Sequence, residues 1–196
     1  MGNIIHLNHD NVLDAVMIGQ KQTQQSSHRK DNWGLKNDDP IKDARRQTVG
    51  FLGEMAVSSC FHVPFEPMKG AFKDPDVYVN GWGLQVKSSE LQTPISLTIR
   101  PDAKDFEPYI LCRVNIPTGD PRDWHIQERL LAAKVEILGW IFPYIARLWN
   151  DIVDGALIRD PNGRNSPAIF MPQHYLENIE FLKELTNQPS TCYDLS

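Results

Sequence analysis

The chain has 196 residues, of which 41% are hydrophobic and 23% charged, the balance of a single globular domain. Its formal net charge of -5 argues against a protein that coats nucleic acid through bulk positive charge, but not against an enzyme with acidic metal ligands and a local basic rim. The three cysteines form no CxxC pair, so they indicate neither a disulfide framework nor a zinc site. The sequence has no long apolar run and no leader pattern, which predicts a cytoplasmic protein with no membrane span.

Residues 1–36 form the first predicted unit, a polar and partly flexible N-terminal segment. Its stretch GQKQTQQSSHRKDN is rich in Gln and Ser and poor in large apolar side chains, which favours a mobile or loosely docked segment. Apolar residues ahead of that stretch predict one face of a short helix, capped by Asn8 or Asp10. The remaining residues, 37–196, are predicted to form a single domain.

A long helix is predicted to begin at Pro40, because Asp39 is a favourable N-cap and proline a favourable first helical residue. Gly50 and Gly53 lie inside this helix, and each costs about 0.5–1 kcal/mol relative to alanine. Two glycines inside one helix are either simply tolerated, or they allow another backbone or a ligand to approach the helix closely. The apolar stripe predicted to be buried consists of Ile41, Ala44, Thr48, Leu52, Met55 and Ser59.

Extended segments separated by turn-rich loops follow the helix. Their alternation or apolar character predicts strands, and the last amphipathic stretch predicts a closing helix. Beyond a hairpin at residues 74–89, the predicted strands lie at 95–101, 109–115 and 135–142, with a short extended piece at 168–172 and the helix at 173–185. The order of helix, strands and helix indicates an α/β or α+β class.

The hairpin has the sequence DPDVYVNGWGLQVKSS, and its Asn-Gly pair at 80–81 is the strongest short signal for a type I′ turn. With a two-residue loop, Asp76 lies opposite Gln85. The strand period of two then gives one face a polar set: Asp74, Asp76, Tyr78, Gln85 and Lys87. The other face collects the apolar residues Val77, Val79, Leu84 and Val86.

The polar face of the hairpin has two interpretations. A half-buried antiparallel hairpin is commonly apolar inside and polar outside, so the face could be ordinary solvent-facing surface. Alternatively, a carboxylate beside a carboxamide oxygen is a hard-oxygen site suited to Mg²⁺, and a lysine two residues along can offset the charge that builds on a phosphate. The second interpretation predicts phosphodiester hydrolysis.

Four short motifs in a fixed order resemble the PD-(D/E)XK nuclease superfamily, which has the restriction-endonuclease-like fold. They are Pro75-Asp76, Gln85-Val86-Lys87, the helical GFLGEMAV with Glu54, and the later VEILGWI. The resemblance covers residues 45–141 and implies a mixed central sheet of about five strands flanked by helices. It also implies a deoxyribonuclease that depends on Mg²⁺, with Mn²⁺ able to substitute.

The resemblance also assigns roles. Asp76 would be the central metal ligand, and Gln85 would take the second ligand position beside the Val86 carbonyl. Lys87 would be the catalytic lysine, and Glu54 would bind or orient a second metal or its water. Four basic residues would contact DNA: Arg45, Arg46, Arg100 and Lys104.

Two residues depart from this pattern. Gln85 stands where the family commonly has an acidic residue. On a helical wheel Glu54 lies roughly 140° from the centre of the predicted buried stripe, so it could equally be a solvent-exposed helix residue. The alternative hypothesis is therefore a catalytically weak or inactive nuclease-fold module that binds nucleic acid or assembles with proteins. A homodimer is compatible with either hypothesis, whereas a small-molecule enzyme has little support without a Walker A, GxGxxG or GxSxG motif.

Overall fold

The computed structural model describes residues 3–26, 40–67, 74–90, 95–116, 133–153 and 168–188. Along the described chain the elements are β1 (Asn3–Leu7), α1 (His9–Ser26), α2 (Pro40–Cys60), β2 (Val77–Val79), β3 (Trp82–Ser89), β4 (Ser96–Ile99), β5 (Tyr109–Asn115), β6 (Ala133–Ile141), α3 (Pro143–Ile152), β7 (Ile169–Pro172) and α4 (Ile179–Asn187). A short 3-10 turn, Gln173–Tyr175, connects β7 to the segment before α4.

Five strands form one mixed sheet in the order β1-β6-β5-β3-β2. β3 and β5 run parallel, and the other three neighbouring pairs of this sheet run antiparallel. A parallel pair requires a crossover connection, and part of that crossover is β4, which pairs with β7 in a separate two-stranded antiparallel sheet. The predicted mixed α/β class with a five-stranded central sheet and flanking helices is confirmed.

The central sheet is covered on both faces. One face packs on α2, with α1 behind it, and includes Leu84 and Val86 of β3. The other face meets β4, β7 and α3, and includes Tyr109 and Leu111 of β5. Since successive side chains of a strand point to opposite faces, Gln85 and its neighbours at odd positions face the β4–β7 side. Polar groups on either face are therefore removed from most of the solvent.

The C-terminal half of α2 is buried on nearly all sides, because it lies between α1 and the sheet. Residues 51–58 are all buried. The predicted single stripe is therefore wrong at its two ends, since both Ile41 and Ser59 are exposed. The helix begins at Pro40 as predicted, whereas its predicted cap, Asp39, lies outside the described residues.

Gly53 marks the close approach of α2 to β3. A Cβ atom at position 53 would lie 1.8 Å from Ser88 Oγ and 3.0 Å from Ser88 Cβ, whereas one at position 50 would meet nothing within 4 Å. We expect Gly53→Ala to lower the free energy of unfolding by about 1–3 kcal/mol through overpacking. The matched variant Gly50→Ala should raise it by about 0.5–1 kcal/mol. Urea unfolding of both variants measures the difference, and equal effects would contradict this packing.

The N-terminal segment is more ordered than its composition predicted. β1 is an edge strand of the central sheet, and α1 is one helix that buries Val12 and Val16 against the core. Asn8 caps this helix as predicted: its Oδ1 accepts a hydrogen bond from the Asn11 N–H at 2.9 Å, and its own N–H donates to Asn11 Oδ1 at 3.3 Å. The prediction of a short helix with a loose tail is therefore wrong up to residue 26, and residues 27–36 lie outside the described chain.

The later elements follow the prediction with two differences. β5 coincides with the predicted strand at 109–115, but the closing helix begins only at Ile179, where the Asn178 side chain accepts from the Glu180 N–H at 3.0 Å. The second difference is α3, which was not predicted. No helix of the described chain is long and apolar enough to cross a bilayer.

Candidate functional site

The β2–β3 hairpin carries the candidate site and has the predicted register. Asn80 and Gly81 have φ angles of 48° and 87°, as the type I′ turn requires. The paired residues are Val77 with Leu84, Tyr78 with Gly83, and Val79 with Trp82. Asp76 precedes these pairs, and its N–H donates to the Leu84 carbonyl at 2.9 Å, which keeps it against β3. The predicted pairing of Asp76 with Gln85 lies outside the register of the paired residues.

The Asp76 carboxylate bonds to the neighbouring strand. Its Oδ2 accepts from the Val86 N–H at 2.7 Å and lies 3.6 Å from Lys87 Nζ. Only 11% of the side chain is exposed. Burial raises the pKa of Asp76, and the nearby Lys87 charge and the Val86 hydrogen bond offset part of that rise. The face predicted to be polar is thus largely buried at Asp76 and Gln85, half-buried at Lys87 and exposed at Asp74 and Tyr78. The Asp76 carboxylate is held in place by a backbone N–H.

The Lys87 ammonium is the point at which several oxygen atoms converge. Its Nζ donates to Gln85 Oε1 at 3.3 Å and to the Val86 carbonyl at 3.2 Å, in addition to its approach to Asp76. It also lies over the Tyr109 ring, 5.6 Å from the ring centroid. With 37% of its side chain exposed, Lys87 borders both the buried oxygens and solvent.

Glu54 reaches the same group from α2. The residue is 9% exposed, and its Oε2 is buried with no hydrogen-bond partner among the described residues. Burial raises the pKa of Glu54 from 4.5 to about 8; the Asp76 charge adds to the rise and the Lys87 charge opposes it. The helical wheel left open whether Glu54 is solvated or faces the site, and its burial excludes the solvated alternative. Gly53 next to it is the residue that lets α2 come close enough to β3.

Arg100 and Lys104 lie beside the site, on the turn between β4 and β5. Arg100 hydrogen-bonds the Tyr109 side chain, whose ring lies under Lys87. Lys104 Nζ is 3.2 Å from Glu107 Oε2. Two of the basic residues that the resemblance assigned to DNA are therefore next to the candidate site.

Arg45 and Arg46 lie farther away. They precede Glu54 on α2 by two turns or more, about 12–13 Å along the helix axis. Arg45 Nε donates to Glu90 Oε2 at 2.7 Å, and Arg46 pairs with Asp43 at 3.3 Å. Arg45 therefore lies at the end of β3, beside the residue that follows the strand, whereas Arg46 pairs within its own helix.

Glu107 is a site residue that the sequence analysis missed. Its Oε1 accepts from Gln85 Nε2 at 2.7 Å, and the residue is 8% exposed. The parallel pairing of β3 and β5 brings it there: Gln85 pairs with Tyr109, and the Gln85 N–H donates to the Pro108 carbonyl at 2.8 Å. No local signal indicates this register, because the two strands are joined through β4.

The oxygen atoms of the site suit a hard divalent cation. They come from two carboxylates, Glu54 and Asp76, from the Gln85 carboxamide and from the Val86 carbonyl. The partnerless Glu54 oxygen is a buried acceptor that a cation would satisfy. Among the described residues no group of three or more His, Cys, Asp or Glu side chains could hold a metal, so the neutral oxygens would have to complete the set.

Comparison with known protein families, with curated proteins and with solved structures gave no significant match. The candidate site therefore rests on the geometry of this chain.

Proposed function

We propose that this protein is a metal-dependent nuclease of the PD-(D/E)XK type that hydrolyses DNA phosphodiester bonds at the site around Asp76 and Lys87. The observation that carries the proposal is the convergence of the Lys87 ammonium, three oxygen groups and the partnerless Glu54 carboxyl in a buried position. An ordinary solvent-facing hairpin does not bury a carboxylate and a carboxamide, and Gln85 is only 5% exposed.

Four residues would hold Mg²⁺ or Mn²⁺ through their oxygen atoms: Glu54, Asp76, Gln85 and Val86. A bound cation would supply Lewis-acid stabilisation of the negative charge that develops on the scissile phosphate. Lys87 has one side open to solvent, so its ammonium can donate to a phosphate oxygen or orient the attacking water. Without metal, Glu54 keeps its proton near neutral pH, which leaves the Asp76 carboxylate facing the Lys87 ammonium.

DNA is the proposed substrate because two cationic side chains lie beside the site, on the turn between β4 and β5. Arg100 and Lys104 supply this charge, and phosphate contacts of this kind position a duplex without reading its sequence. Arg45 and Arg46 would contact a longer substrate along α2. The described cysteines are free thiols, which suits the proposed cytoplasmic location, and a homodimer would present two sites to the two strands.

Lys87→Met is expected to lower the rate of DNA cleavage by about a hundredfold or more, because the ammonium that stabilises phosphate charge is lost. Cleavage of linear, nicked and branched DNA with Mn²⁺ measures the effect. Lys134→Met is the matched control, since Lys134 is exposed on β6 and pairs with Asn115, at the opposite end of β5 from Tyr109. Equal cleavage by wild type and Lys87→Met, or no cleavage with any divalent metal, would overturn the proposal.

The second candidate function is a nuclease-fold module that binds nucleic acid or assembles with proteins without cutting. Gln85 favours it, because a neutral carboxamide binds Mg²⁺ more weakly than a carboxylate. Titration with Mn²⁺ separates the two candidates, since the enzyme should bind the ion and the module should not.

A further inference from the structure

The orientation of the Gln85 carboxamide decides which atom it presents to Lys87. Its Nε2 donates to Glu107 Oε1 at 2.7 Å and to the Asp74 carbonyl at 3.1 Å, and its Oε1 accepts from Lys87 Nζ at 3.3 Å. A carboxylate and a backbone carbonyl only accept hydrogen bonds, and an ammonium only donates them. A reversed amide would lose all three bonds, so these contacts permit one orientation, with the oxygen toward Lys87 and Asp76.

The bond to Glu107 is the shortest of the three and joins two buried side chains. A hydrogen bond from an amide to a carboxylate is charge-assisted and therefore stronger than one between neutral groups. The second Glu107 oxygen lies 3.2 Å from Lys104 Nζ, so the carboxylate is compensated on its outer side. In a buried environment a satisfied pair of this kind strongly disfavours arrangements that leave one partner unpaired.

Glu107 also places negative charge behind the amide. Its Oε1 lies 2.7 Å from Gln85 Nε2, on the side of the amide away from Lys87. An outer carboxylate bonded to a ligand group fixes the orientation of that group and increases its basicity. Gln85 and Glu107 together therefore provide what one acidic side chain would: an oxygen facing the site and a nearby negative charge.

We infer that Glu107 is a positioning residue of this site, which holds the Gln85 oxygen toward Asp76 and Lys87 and supplies the buried negative charge that position 85 lacks. The inference rests on the proposed function. It gives a physical reason why a neutral residue at position 85 is compatible with a cation site. It also predicts that the amide and the carboxylate of Gln85 and Glu107 can be swapped between the two positions without loss of the site.

Calorimetric titration of the whole protein with Mn²⁺ tests this unit. Glu107→Gln should weaken Mn²⁺ binding by about 10- to 100-fold, because an amide at position 107 can donate or accept and no longer selects one orientation of Gln85. The exchange variant, Gln85→Glu with Glu107→Gln, should bind Mn²⁺ within about threefold of the wild-type affinity, since the amide at 107 then donates to a carboxylate at 85. Glu66→Gln, at an exposed position, is the control for the loss of one negative charge.

A metal-free measurement separates orientation from binding. In the NMR spectrum of the wild-type protein the Gln85 side-chain amide protons should exchange slowly with solvent, because they are buried and bonded to Glu107. In Glu107→Gln the exchange should be faster. The resonance is identified by its disappearance in Gln85→Glu.

Four results would count against the inference, and they separate the positioning role, the orienting bond and the proposed function. Wild-type affinity in Glu107→Gln, even with lower stability, or failure of the exchange variant to restore binding, would overturn the positioning role while the proposed function stands. Slow amide exchange that persists in Glu107→Gln would overturn the orienting bond. If the wild-type protein binds no Mn²⁺, the proposed function fails and the role of Glu107 fails with it.

Discussion

Asp76→Asn is expected to abolish Mn²⁺ binding and to lower the rate of DNA cleavage by about a thousandfold or more. The asparagine Oδ1 can still accept the hydrogen bond that the Val86 N–H donates to Asp76, so the hairpin should keep its structure. What the substitution removes is the negative charge 3.6 Å from the Lys87 ammonium. The loss therefore reports on the chemistry of the site and not on folding.

Calorimetry with Mn²⁺ and a cleavage assay measure the effect of Asp76→Asn. Asp14→Asn is the matched control, because Asp14 is exposed on α1, which packs on α2 on the far side from the sheet. Circular dichroism and thermal unfolding check that both variants are folded. Tight Mn²⁺ binding by Asp76→Asn would contradict the assignment of Asp76 as the central ligand.

Glu54→Gln is expected to remove most of the pH dependence of stability in metal-free protein. Glu54 has a pKa of about 8 in the folded protein and 4.5 as its ordinary value. Between these values the folded state holds a proton that the unfolded chain has released, so the free energy of unfolding falls as pH rises. The free energy of unfolding is reduced by its full amount, on the order of 5 kcal/mol, above about pH 8, and is not reduced below about pH 4.5.

Urea unfolding at pH 5 and pH 9 in the presence of a chelator measures this difference. The wild-type protein should be markedly less stable at pH 9, and Glu54→Gln should be less sensitive to pH, since its amide carries no charge at either pH. Asp76 and Lys87 are the charged groups that face Glu54, and both remain in the variant. Glu66→Gln, at an exposed position, should retain the wild-type dependence. Equal pH dependence in wild type and Glu54→Gln would show that Glu54 is not the buried acid.

The hairpin could be predicted from sequence because its register is a local property. The Asn80-Gly81 pair sets a two-residue loop, and the strand period then assigns each side chain to a face. That reasoning placed Asp76 opposite Gln85 before any tertiary contact was considered. It left the burial of that face open, because burial depends on β4 and β7, which are distant in sequence and pack on the same face of the sheet.

Glu54 and Glu107 depend on contacts that no local pattern encodes. Glu54 is buried because Gly53 lets α2 pack closely against Ser88. A helical wheel assumes one buried face, so it does not predict burial in a helix that is packed on several sides. Glu107 lies beside Gln85 because β3 and β5 pair in parallel, and the connection between them includes β4, which belongs to the second sheet. The family resemblance supplied Glu54, and neither resemblance nor spacing supplied Glu107.

The N-terminal segment was mispredicted for a related reason. Its polar composition favoured a loose segment, but a helix needs only one apolar face to dock. Val12 and Val16 supply that face, and Gly19 lets α1 approach Thr48 of α2, where a Cβ atom would lie 2.8 Å from Thr48 Oγ1. The apolar face was predicted, but the polar composition that follows it concealed the continuation of the helix to Ser26.

The most direct test of the central claim is a crystal of the wild-type protein soaked in Mn²⁺, with anomalous data collected near the manganese edge. We predict an anomalous peak between the Asp76 carboxylate and the Gln85 carboxamide oxygen, with the Glu54 carboxylate beside it. A soaked crystal in which Lys87 keeps its contacts to Gln85 and Val86 and no peak lies near Asp76 would contradict the claim that these residues form a metal site.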